Sequence, residues 1–124
     1  MWDWRFQDIP EVVENCRELS FAVFGGAVIF IFPDGVGELY WLQVYPEYRA
    51  VSETWAKYIK RSCSEFLDLF NALMAKANFE KEILEWGFLK KNQDAAEAVM
   101  KHLCFELRVY SETKYLQLGR KYRK

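Results

Sequence analysis

The chain has 124 residues, 52% hydrophobic, 28% charged and 18% aromatic, with 17 basic and 18 acidic side chains and one histidine. That length makes a single domain, and 22 Phe, Tyr and Trp residues bring more buriable apolar area than a disordered segment carries. The longest apolar run, Ala27 to Phe32, falls well short of the roughly 20 residues a membrane-spanning helix needs, and Trp2-Asp3-Trp4-Arg5-Phe6 lacks the apolar core of a secretory signal. A cytoplasmic protein with no membrane partner is expected.

Residues Pro10 to Leu19 predict a first helix. Asp8 is its N-cap, Pro10 sits where a missing N–H does no harm, and Val12, Val13, Cys16 and Leu19 fall at helical spacing opposite Glu11, Glu14, Arg17 and Glu18. Three extended segments follow, about Phe21 to Phe24, Ala27 to Phe32 and Glu38 to Tyr45, separated by Gly25-Gly26 and by Pro33-Asp34-Gly35-Val36-Gly37, both read as turns. The second and third are expected to form an antiparallel hairpin. The second, apolar on both faces, belongs at the centre of the sheet; the third sets Leu39, Trp41, Gln43 and Tyr45 against Tyr40, Leu42 and Val44, one-sided with a partly wet aromatic face.

Beyond Pro46 the pattern turns helical. Ser52 to Lys60 places Trp55, Tyr58 and Ile59 at helical spacing yet leaves room for a strand or loop. Ser62-Cys63-Ser64-Glu65 reads as a capping box opening a helix from about Cys63 to Ala77. Asn78 caps a further helix through Glu80, Ile83, Leu84 and Trp86 that stops at Gly87, and Asp94 with Glu97 repeats the cap for Ala95 to Leu103. Phe105, Leu107 and Val109 alternate with polar residues as a strand, a turn follows at Ser111 to Lys114, and Tyr115 to Leu118 would be its hairpin partner. The order predicts an α+β fold, an antiparallel β-sheet with helices packed on one face, as a single domain over residues 1–124.

No catalytic signature is present, so no catalytic residue, metal site or cofactor is assigned. Cys16, Cys63 and Cys104 are odd in number, far apart and without a C-x-x-C pair, which argues against a disulfide framework and a structural zinc. His102 lies two residues from Cys104, so a strand there would aim both one way; the simpler reading is a core cysteine and a helix-end histidine. Gly25-Gly26 lacks the Lys-Ser/Thr and the following helix of a phosphate loop. Glu38 and Glu47, and the Glu80, Glu82 and Glu85 cluster, have no partner to split their pKa values and read as solvated faces.

Charge is unevenly placed. Residues 1–113 hold all 18 acidic and 12 of the 17 basic side chains, a net of −6, whereas Lys114, Arg120, Lys121, Arg123 and Lys124 make the last eleven residues +5. The basic end offers a nucleic-acid-binding alternative through phosphate contacts, but a solvated end is the simpler reading and an acidic body repels phosphate. The same body attracts a basic protein. Trp2, Asp3, Trp4, Glu38, Tyr40, Tyr45, Glu47 and Tyr48 combine rigid rings with carboxylates at the terminus, on the strand face opposite the core, or in the Tyr45-Pro46-Glu47-Tyr48-Arg49 loop, and are the candidate partner-binding residues.

The stretch from Ser20-Phe21-Ala22 through Gly25-Gly26, Ile29-Phe30-Ile31-Phe32, Gly35 and the strand Leu39 to Tyr45, then on to Ser62-Cys63-Ser64-Glu65-Phe66-Leu67, resembles the SMI1/KNR4 (SUKH) superfamily. About half of the chain takes part. Ile9-Pro10-Glu11-Val12-Val13 stands where that family has a Leu-Pro-x-x-Tyr helix, and some forty residues extend past its usual closing helix. The resemblance implies a bacterial immunity protein that binds a cognate toxin domain, such as a nuclease, and blocks it without chemistry of its own. A phage or mobile-element inhibitor of a host defence enzyme has the same physical profile.

Overall fold

In the computed structural model, residues 2–32, 35–79, 81–82 and 103–122 are described. A short edge strand β1 (Trp2–Trp4) leads through a 3-10 turn (Phe6–Asp8) into helix α1 (Ile9–Glu18). Strands β2 (Ala22–Phe32) and β3 (Gly35–Val44) follow, then helix α2 (Trp55–Lys76), strand β4 (Leu103–Tyr110) and helix α3 (Glu112–Tyr122). The four strands form one antiparallel sheet in the order β1-β4-β2-β3. The fold is α+β.

The core lies between one face of this sheet and the helices. Phe105 and Leu107 of β4 pair with Val28 and Gly26, and Val28 pairs with Leu39. These residues meet Ile59, Cys63, Phe66 and Phe70 of α2 and Ile9, Val13 and Cys16 of α1 in one buried cluster. The Phe66, Phe70 and Phe105 rings pack at 5.1 to 6.2 Å between centroids. Helix α2 crosses β2 and β3, and α1 packs against α2 and β2.

Two register shifts decide which side chains reach this core. On the β4 side, Val23 pairs with Val109 and Gly25 with Arg108, so Phe24 is an extra residue in a β-bulge. On the β3 side, Ala27 pairs with Gln43 but Val28 with Leu39, a three-residue slip that reverses the alternation. Leu39, Leu42 and Val44 are consequently all buried, although a period of two would have put Leu39 on the other face.

The expected hairpin between the second and third extended segments is present as β2–β3, with Phe32 opposite Gly35; Pro33 and Asp34 lie outside the described residues. The expected turn at Gly25-Gly26 is not there. Both glycines lie inside one continuous strand, and neither has a positive φ. Their role is close approach: a Cβ on Gly26 would strike the Phe105 ring and the Glu106 carbonyl.

Three further expectations are corrected. The capping box at Ser62 does not start a helix, because α2 already runs from Trp55; Thr54 is its cap, accepting from the Lys57 N–H at 3.2 Å. Ser62 is buried in mid-helix and donates to the Ile59 carbonyl at 3.2 Å. The turn and hairpin strand after β4 are instead α3, which Ser111 caps by accepting from the Lys114 N–H at 3.2 Å. Tyr115 of α3 packs on Phe24, Trp55 and Tyr58, so this helix is bound to the start of α2 by an aromatic cluster. Asp8 precedes α1, with Pro10 in its first turn as expected, but the Asp8 side chain makes no cap bond and Leu19 is exposed rather than packed.

Asn78 does cap a new helical turn, accepting from the Lys81 N–H at 3.0 Å. The rest of that helix, the Ala95 to Leu103 helix apart from Leu103, and His102 lie outside the described residues, and Leu103 itself opens β4.

Candidate functional site

The sheet face turned away from the core carries charge. Asp3, Glu106, Ala27 and Gln43 form one row across all four strands, with Arg108 and Gly25 in the next row and Cys104, Ile29 and Glu38 beyond. Ala27 and Ile29 are buried on this side of the central strand, and the Tyr45 ring fills the space that a Cβ on Gly25 would need. Arg108 bonds Glu106 at 3.2 Å and lies 3.8 Å from Glu38. Glu106 is only 4% exposed, so Arg108 is what makes burial of that carboxylate tolerable. Burial, with Asp3 and Glu106 adding to it, pushes the Cys104 thiol up to about 11, which leaves it protonated and a poor nucleophile.

Next to this face, the segment from Tyr45 to Glu53 leaves β3 without helix or strand and is clamped to α2 chiefly by Arg61, with Glu65 beside it. The Arg61 guanidinium holds Glu53 at 2.6 and 2.8 Å and Glu65 at 3.0 Å, donates to the carbonyls of Glu47 at 3.2 Å and Tyr48 at 3.1 Å, and sits 5.4 Å from the Tyr58 ring centre. Glu65 also accepts from the Glu47 N–H at 3.0 Å, Glu53 from the Ala50 N–H at 3.2 Å, and the Glu53 carbonyl from Arg49 at 3.0 Å. The Arg61 hydrogen bond lowers the Glu53 carboxyl to about 2. Arg49 in turn lies 5.5 Å from the Trp55 and Tyr115 ring centres.

A backbone fixed at so many points still turns apolar side chains to solvent. Tyr48 is 85% exposed and Val51 fully exposed, and Tyr45, 49% exposed, bonds Gln43 through its hydroxyl. Trp41 is 44% exposed and donates from its indole to Glu82 at 2.8 Å. Rigid aromatic groups on a pre-ordered backbone lose little entropy on binding, which is the physical signature of a protein-binding anchor.

Of the residues singled out in the sequence, Asp3, Glu38 and Tyr45 share the charged sheet face, and Glu47 and Tyr48 lie in the adjoining clamped loop. Trp4 does not join them. It pairs with Phe105 and packs partly buried against the core. The side chains of Trp2 and Tyr40 are outside the described set. Among the basic residues, Lys114 is exposed in the first turn of α3; Arg123 and Lys124 lie outside the described residues, and Arg120 and Lys121 are on α3.

The sequence did not single out Arg61, Val51 or Glu106. Glu53 and Arg61 are eight residues apart, a spacing with no local meaning until the loop folds back on α2, whereas Glu106 looked like the polar side of an alternating strand. All three cysteines are free, and among the described residues no group of three or more His, Cys, Asp and Glu side chains could hold a metal. No described helix is long and apolar enough to cross a membrane. Compared with protein-family models, curated proteins and solved structures, the chain matches none of them.

Proposed function

We propose that this protein is a non-catalytic, cytoplasmic protein-binding module of the immunity type, which neutralises a toxin domain, such as a nuclease, by covering it. The observation that carries the reading is the clamped loop, whose exposed Tyr48 and Val51 stand on a backbone held by Arg61. The net charge of −6 over residues 1–113 supports a basic partner, and the resemblance to the SMI1/KNR4 superfamily supports the immunity role.

The test is affinity capture from the native host with the wild type and with a Tyr48→Ala, Val51→Asp double variant. Both positions are exposed, so the variant should keep its thermal midpoint. One basic protein recovered with the wild type and lost with the variant, whose toxicity the wild type suppresses, is the expected result. A captured defence enzyme would make the protein an inhibitor of host defence instead. Capture that is indifferent to the two substitutions would sink the loop-based reading, and salt-sensitive RNA or DNA binding lost on removing residues 114–124 would replace it with the nucleic-acid one.

A further inference from the structure

We infer that a groove beside α1, remote in sequence from the clamped loop, receives a segment of a partner protein in which a large apolar side chain is flanked by lysine or arginine. The groove holds about 410 Å³ and is lined by Trp4, Val12, Leu19 and Phe21 on its apolar side and by Asp8 and Glu11 on its rim.

The floor asks for an apolar occupant. Trp4, Val12 and Phe21 are only partly buried, and Leu19 is 67% exposed at the lip. That leucine is held there by the way α1 ends. The Phe21 N–H bonds the Cys16 carbonyl at 2.8 Å and the Ser20 N–H the Arg17 carbonyl at 3.2 Å, a Schellman motif that needs its central residue in the left-handed region. Ser20 occupies that region with φ 62°, and its carbonyl is fastened by the Trp55 indole at 3.1 Å. The lip is therefore anchored to α2, and an apolar side chain entering the groove meets a formed surface rather than a loose turn.

The rim asks for positive charge. Of the acidic residues along α1 and at its cap, Asp8 and Glu11 line the groove, and Arg17, the one basic residue of the helix, is taken up by Glu14. No described residue forms an ion pair with Asp8, Glu11 or Glu18. An apolar floor edged by uncompensated carboxylates selects an apolar side chain with basic neighbours and disfavours an acidic segment.

The inference rests on the protein-binding reading only in that the occupant belongs to a protein. Its test needs no native partner. A short peptide carrying a Leu-Phe pair between lysines is titrated into the isotope-labelled full chain while backbone amide shifts are followed. The expected result is saturable shifts centred on Val12, Asn15, Leu19 and Phe21. Affinity should drop about fivefold on neutralising the rim with Asp8→Asn and Glu11→Gln, and as much when Leu-Phe in the peptide becomes Ala-Ala. Thermal midpoints show that the variants are folded, and Leu19→Ser, which removes an exposed side chain, should also weaken binding. Absence of saturable shifts, shifts centred elsewhere, or equal binding of a glutamate-flanked peptide would overturn the inference while leaving the loop-based capture result standing. Capture indifferent to the Tyr48 and Val51 substitutions, with peptide binding intact, would overturn the clamped-loop reading alone.

Discussion

Arg61 contacts two carboxylates, two carbonyls and a ring, and so converts a segment without secondary structure into a fixed surface. The pH dependence follows from its partner Glu53, whose carboxyl is lowered from about 4.5 to about 2 in the folded chain. A depressed carboxyl favours folding wherever it is ionised, so that contribution is complete above about pH 4.5 and fades as pH falls from there through about 2. Urea midpoints measured across this acid window should fall more steeply for the wild type than for Arg61→Met; parallel curves would contradict the coupling. Ser20 gives a second residue-scale prediction. A side chain in the left-handed region is a cost that glycine avoids, so Ser20→Gly should raise stability by about 0.5–1 kcal/mol in thermal or urea denaturation.

At the scale of elements, the start of α2 separates two readings of one sequence. Thr54 is the cap in the structure and Ser62 a buried mid-helix residue. Thr54→Ala should therefore cost about 1 kcal/mol and Ser62→Ala clearly less, the reverse of what a helix beginning at Cys63 would give. The signal in Trp55, Tyr58, Ile59 and Ser62, spaced three, four and seven apart, was legible but competed with a well-formed Ser-x-x-Glu pattern. In α3, Tyr115 and Leu118 have helical spacing too, yet a short segment after a strand and a Ser-Glu-Thr-Lys turn signal favours a hairpin on local grounds. What holds it helical is the aromatic cluster with Phe24, Trp55 and Tyr58. Tyr115→Ala should lower stability by about 2 kcal/mol and reduce helical circular dichroism, because α3 would lose its main anchor.

At the scale of the whole molecule, the described residues present exposed apolar side chains at more than one place, and at the α1 groove these meet uncompensated carboxylates. The clamped loop presents Tyr48 and Val51 on a backbone fixed to α2, and the α1 groove presents Leu19 above Val12 and Phe21 with acid at its rim. Both are tied to α2, the loop through Arg61 and the groove lip through Trp55. The charged sheet face between β1 and β3 is of a different kind: Arg108 compensates Glu106 and approaches Glu38, so part of its charge is met within the sheet, while Asp3 leaves the face net acidic. The candidate residues read from the sequence fell partly on this face, where Arg108 already meets two of the carboxylates, because a ring or carboxylate in the sequence does not say what its neighbours will be.

Sequence alone determined the fold class, the β2–β3 hairpin, the end of α2, the strand β4 and the uneven charge, since hydrophobic period, turn chemistry and composition are local properties of the chain. The tertiary structure decided what locality cannot express. A bulge at Phe24 and a three-residue slip after Ala27 set which side chains face the core, because register is chosen by the packing of two strands together. Long-range contacts did the rest: Glu53 folding back on Arg61, Tyr115 finding Phe24, and the Trp55 indole holding Ser20 in place.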